Sequence, residues 1–220
     1  MDPVAAGLVV LAISLAAVYG PALGVSPWWI TLLTLLGLGS LSVDAARFGG
    51  RGGHLLAEAL PGGLRRLRRI AIHEAGHCLV AEAEALPVRQ VLVGSLACWR
   101  QGLSSCGSTV FDAPGRARLP VEELRRWSRV LQAGMVAERL VFREAPRGGS
   151  DDRALLGQLW GLSGFDADTA QREQRQARRE VERLLRERRQ DLEARAEQLL
   201  LDAPRLGHRS AGPGSGQPPP

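Results

Sequence analysis

Ala71-Ile72-His73-Glu74-Ala75-Gly76-His77-Cys78-Leu79-Val80 is the stretch on which the reading of this chain turns. It lies inside a longer run, Leu64 to Leu86, that is basic at its start and apolar along one face. That pattern predicts one helix, ended by Pro87. Residues i and i+4 share a helix face, so His73 and His77 can reach one metal ion. Glu74 sits beside that position, where it can take a proton from a bound water. Zinc suits the pattern, because it acidifies a bound water and polarises a carbonyl. Activated water, a Lewis acid and a base that later returns its proton are together what peptide hydrolysis requires. The plainer reading is a pair of partly buried helix histidines. Only 4 histidines occur in the chain, and two of them in register with a glutamate weaken that reading.

A catalytic zinc needs a third protein ligand and an open position. A second glycine and third histidine further along the same helix would mark one large class, but those positions hold Val80 and Ala83. A glutamate ligand some way downstream is absent too, since no acid lies between Glu84 and Asp112. His54 falls in a glycine-rich joint and His208 in a polar tail. Asp151 and Asp152 remain as candidates, just past Gly148-Gly149 at a predicted helix start. Either could be a ligand, and either could simply complement a helix dipole.

Around the motif, Val88 to Val93 reads as a strand, and Gly102 to Phe111 as turn residues followed by a second short strand. Helical spacing runs from Pro120 to Phe142. Ser150 is the expected N-cap of a helix through about Leu162. Asp166 to Leu201 reads as one amphipathic helix whose narrow apolar stripe packs on the domain. Gly207 to Pro220 has a disordered composition. Cys78, Cys98 and Cys106 form no disulfide framework and are read as reduced thiols; a Cys98–Cys106 bridge or zinc pair is the alternative.

The 28 basic residues are all arginine. Without lysine no P-loop can occur within these residues, and no lysine Schiff base is available. The net charge of +5 is local. Arg47, Arg51, Arg65, Arg66, Arg68 and Arg69 face one acid, Glu58, across the segment from Ala45 to Ile70. A single aromatic, Phe48, falls among these arginines, too few for the stacking that a nucleic-acid surface would want, so no nucleic-acid partner is expected. Before them, Pro3 to Val43 carries no charge and is split by Pro21 and Pro27. Each piece approaches the lower limit for a bilayer span, and Trp28 and Trp29 suit an aromatic belt. The expectation is a helical hairpin crossing twice. A signal peptide would want a basic start, which Met1-Asp2 lacks; a buried core hairpin is the other rival. The arginines after the second piece place the following domain in the cytoplasm.

At this point the chain resembles the peptidase domain of the FtsH-type membrane zinc metalloproteases. The likeness rests on the His73-Glu74-Ala75-Gly76-His77 helix, on Met135-Val136-Ala137-Glu138-Arg139-Leu140-Val141-Phe142, and on Gly148-Gly149-Ser150-Asp151-Asp152. A charged C-terminal helix, Arg189 to Leu200, adds to it loosely. The resemblance implies that Asp152 is the third zinc ligand and Asp151 occupies a variable position. It also implies that a strand edge, here Cys106 to Phe111, pairs with an extended substrate. Family members carry an ATPase between membrane and peptidase, and this chain has room only for a short tether.

The expected fold is mainly α: two transmembrane helices, then a mostly helical zinc-peptidase domain with a small β-hairpin or short edge strands. Residues 1–44 form the membrane hairpin, 45–64 a basic juxtamembrane linker, 65–203 the peptidase domain and 204–220 a disordered tail. The expected activity is zinc endopeptidase action on unfolded or membrane-associated proteins, with Zn2+ on His73, His77 and Asp152, Glu74 as general base, and no ATP binding. The expected associations are a protein or peptide substrate, the membrane, further copies of the chain, or an ATPase-bearing FtsH-type protease. An accessory subunit of such a protease is the alternative. An intramembrane site-2-type protease fits less well, because charged residues such as Arg68, Arg69 and Glu82 flank the motif.

Overall fold

A computed structural model of the chain describes residues 3–48, 50–60, 62–112, 116 and 118–204. His208 and the expected tail from 205 onward lie outside the described residues. Two apolar helices come first, α1 (Pro3–Tyr19) and α2 (Pro27–Phe48), joined by a short 3-10 turn at Pro21–Leu23. Over Pro27–Arg47 none of the α2 window is buried within the protein, and Trp28, Leu33, Leu35 and Leu36 are exposed. The hydroxyls of Thr31, Thr34 and Ser42 each donate to the carbonyl four residues back, at 2.8 to 3.0 Å. Such back-bonding satisfies a hydroxyl without water, as a hydrocarbon environment demands.

The expected double crossing is corrected here. Among the described residues, one helix, Pro27–Arg47, is long and apolar enough to cross a membrane. Helix α1 has 17 residues, about 25 Å at the usual rise, which is short of a hydrocarbon core about 30 Å thick. The segment expected as a linker, 45–64, is largely helical. Helix α2 continues to Phe48, and a further helix, α3 (Arg51–Ala59), follows. Glycine at Gly52 and Gly53 disfavours a helix, but the Asp44 carboxylate accepts both their backbone N–H groups, at 3.0 and 2.9 Å. A carboxylate on the first-turn donors caps the helix and complements its dipole.

The motif helix is α4 (Gly63–Ala83), followed by β1 (Val88–Val93), α5 (Ser95–Arg100) and β2 (Gly107–Phe111). β1 and β2 pair antiparallel, with Val91 opposite Thr109 and an irregularity near Val88. Then come α6 (Val121–Phe142), α7 (Ser150–Leu162), α8 (Ala167–Glu187) and α9 (Arg189–Asp202). The described residues are thus mainly helical with one small two-stranded sheet.

Helix α4 is the centre of the body. Ala71, Ile72, Ala75, Leu79 and Val80 are buried against Val130, Ala133 and Ala137 of α6, Val181 and Leu185 of α8, and Leu192 and Ala196 of α9. Small residues let α4 and α6 approach closely. A side chain at Gly76 would meet the Ala137 methyl at 2.7 Å. A second apolar cluster, with Leu124, Trp127, Leu131, Leu156 and Trp160, seats α7 on α6. There the buried Trp160 Nε1–H donates to Ser128 Oγ at 2.9 Å.

Two boundary expectations change. Gly149, not Ser150, is the N-cap of α7, at φ +86°. That left-handed conformation suits glycine, and the Ser150 hydroxyl instead donates to Asp151 Oδ1 at 3.1 Å. The single C-terminal helix is two, broken at Arg188, where φ is −99° and ψ 32°. One straight helix across that span would be about 50 Å long. The break lets Leu192 and Ala196 return to the core that Val181 and Leu185 already enter.

Candidate metal centre

Helix α4 carries His73, Glu74 and His77 on its buried side, where 7%, 4% and 2% of each residue is exposed. Each imidazole is oriented by its Nδ1. His77 Nδ1 lies 2.8 Å from the Val130 carbonyl, which can only accept, so this nitrogen carries the proton. His73 Nδ1 lies 2.8 Å from Glu138 Oε1, a carboxylate 2% exposed. Both rings therefore direct Nε2 to the same place. Asp152 Oδ2, in the first turn of α7, stands there, 3.1 Å from His73 Nε2 and 3.3 Å from His77 Nε2.

This donor set fits a zinc-sized ion. Ligands at about 2.0–2.1 Å in a tetrahedron lie about 3.3 Å apart. The Nε2–Oδ2 separations match that edge, and the three ligand atoms lie within 4.8 Å of one another. Two neutral nitrogens with N–H groups bound elsewhere, plus one carboxylate, are also the ligand chemistry zinc takes. The surrounding carboxylates also favour a cation at this point, whether a proton on His73 or a metal ion in its place. Burial alone would lower the His73 pKa, but hydrogen bonds to Asp152 and Glu138 outweigh it and raise it to about 10. Burial would raise Asp152, yet the two histidines hold its carboxyl well below the usual range. The pocket is thus built around positive charge.

Glu74 differs from its neighbours. Burial pushes its carboxyl above the usual value, against the opposing pull of His77 and His73. Its Oε2 accepts a hydrogen bond from the Thr109 hydroxyl at 2.7 Å. Oε1 lies so close to Gly107 that any side chain there would strike it. The Phe111 ring stands edge-on to His77, with centroids 6.3 Å apart. Gly107, Thr109 and Phe111 alternate along β2 and so share the strand face that meets the motif.

All four residues expected from the sequence, His73, Glu74, His77 and Asp152, come together. Asp151 does not join them; it is exposed and bonded to Ser150. His54 lies in a different place, beside Arg66. Cys78, Cys98 and Cys106 are free thiols, with no Cys98–Cys106 bridge. Among the described residues, His73, His77 and Asp152 form the group arranged to hold a metal ion.

Sequence reasoning gave no role to Glu138. Its Oε1 also accepts from the Gly148 N–H at 3.2 Å and its Oε2 from the Arg147 N–H at 3.1 Å. It therefore holds His73 and the turn leading to Asp152 at once. Arg69 approaches Glu138 at 3.5 Å and pairs with Glu144 at 2.5 Å, while its guanidinium lies 4.6 Å over the Phe142 ring. The available signal for Glu138 was its register, since Leu124, Trp127, Leu131 and Glu138 fall on one buried face of α6.

In comparisons with known proteins, no family model matches the chain, and a search of curated proteins returns no significant match.

Proposed function

We propose that the protein is a membrane-anchored zinc metalloendopeptidase of the FtsH type, acting on extended segments of unfolded or membrane-associated proteins without a motor of its own. The observation that carries this reading is the convergence of His73 Nε2, His77 Nε2 and Asp152 Oδ2 beside the buried Glu74. A zinc ion held by these three residues would supply a Lewis acid for the peptide carbonyl and acidify the attacking water.

The chain's own residues then have distinct tasks. Glu138 and the Val130 carbonyl fix the two imidazoles. Thr109 holds Glu74 Oε2, leaving Oε1 to take a proton from the water and return it to the leaving amine. Burial raises the basicity of Glu74, which suits a group that must both accept and release a proton near neutrality. β2 pairs with β1 along one edge. Its other edge would accept an extended peptide through backbone hydrogen bonds, reading little of the side-chain sequence. Helix α2 would anchor the body, and the arginines that follow it favour a cytoplasmic placement.

The test is hydrolysis of a casein-type substrate by purified full-length protein. Chelation should abolish cleavage. Glu74→Gln should reduce it by about 10²–10⁴-fold while the bound metal stays in place. Full activity in Glu74→Gln would remove the general-base role and the reading with it.

A further inference from the structure

A second group of reactive side chains meets where α3, α4 and the turn before β2 come together. Arg66 Nη2 lies 3.3 Å from Cys106 Sγ and 2.8 Å from His54 Nδ1. Arginine is only a donor, so His54 Nδ1 accepts and its ring proton sits on Nε2. His54 and Cys106 also act on each other electrostatically: the thiol raises the His54 pKa and the imidazole lowers that of Cys106. Nearby, Ser95 is committed to Glu58, its hydroxyl donating to Glu58 Oε1 at 2.6 Å. His54, Arg66 and Cys106 are all half-buried.

The other two cysteines are a built-in contrast. Burial pushes the Cys78 and Cys98 thiols up to about 11. Burial acts in the same direction on Cys106, but the neighbouring His54 and Arg66 outweigh it and leave that thiol below its ordinary value. A thiolate is the nucleophilic form of cysteine, and cationic or donor-rich surroundings select for it.

We propose that Cys106 is a modification site, a thiolate held by Arg66 and His54 that reacts with peroxides. In this step the sulfur attacks one oxygen of hydrogen peroxide, an S–O bond forms and the O–O bond breaks. The leaving hydroxide takes a proton from solvent and departs as water. Sulfur loses two electrons, peroxide gains them, and Cys106 becomes a sulfenic acid.

The experiment uses the full-length protein in detergent. It is treated with hydrogen peroxide and then dimedone, and adducts are located by mass spectrometry. Cys106 should carry the adduct at least about tenfold more than Cys78 or Cys98. Cys98 is buried and could be protected by that alone, whereas Cys78 is half-buried like Cys106, so the pH dependence of Cys106 alkylation by iodoacetamide is measured as well. Its midpoint should fall below the ordinary thiol value of about 8.5. Arg66→Gln combined with His54→Asn should return the midpoint to that value and lower dimedone capture about tenfold. A wild-type midpoint at the ordinary value, or adducts favouring Cys78 or Cys98, would overturn the proposal. The wild-type profile decides even where the double variant does not fold.

Discussion

Glu138 does more for the centre than its place in the chain suggests. It receives the His73 Nδ1–H at 2.8 Å and two amides of the loop that delivers Asp152. Removing its charge leaves the three ligands in the chain but loosens one imidazole and one loop. Glu138→Gln should therefore weaken zinc binding by about 10–100-fold with the fold retained, as measured by competition with a chromophoric chelator. Equal affinity in the variant would show that His73 is oriented by something else. At this scale the sequence was informative where chemistry has a fixed spacing. His73, Glu74 and His77 announce themselves because four residues make one helical turn. Asp152 could be separated from Asp151 only by resemblance, because which of two adjacent aspartates turns inward depends on the backbone at Gly149. Glu138 stayed silent because a lone carboxylate in a charged helix looks like a solvated one until its neighbours are placed.

Helix α6 is specialised as an element by what it leaves out. A side chain at Gly134 would enter the His73 ring, so the helix keeps a gap where the imidazole lies. Gly134→Ala should overpack that contact, destabilising the metal-free protein by about 1–3 kcal/mol and displacing His73. Thermal melts in chelator, read beside bound zinc, test this; an unchanged Tm with full zinc would contradict it. The elements also show where periodicity carries a prediction and where it stops. β1 and α6 match their expected spans within a residue, since alternation and helical spacing are local signals. The break at Arg188 and the helix at Arg51–Ala59 were hidden. The first answers to the size of the core, and the second to a cap supplied by Asp44 from the preceding helix. Both are tertiary effects that override local propensity.

Across the whole molecule, the absence of lysine has a structural counterpart. Arg129 grips Glu84 with two bonds at 2.6 and 2.8 Å, joining α6 to the end of α4. Arg125 grips Glu173 likewise at 2.7 and 2.8 Å, joining α6 to α8. Such forked pairing is what guanidinium allows and an ammonium does not. Among the described residues, none from the apolar N-terminal helices belongs to the buried clusters of the body. Deleting residues 1–48 should therefore release the protein from membranes while zinc content and peptide hydrolysis persist, assayed by fractionation and activity. Loss of zinc on deletion would make the anchor part of the fold. The claim on which the rest depends is that His73, His77 and Asp152 hold one zinc ion. Elemental analysis of the purified full-length protein and of Asp152→Ala tests it most directly. About one zinc per chain in the wild type and nearly none in Asp152→Ala is the predicted result; a variant that keeps its zinc, or a wild type that binds none when supplied with it, would contradict it.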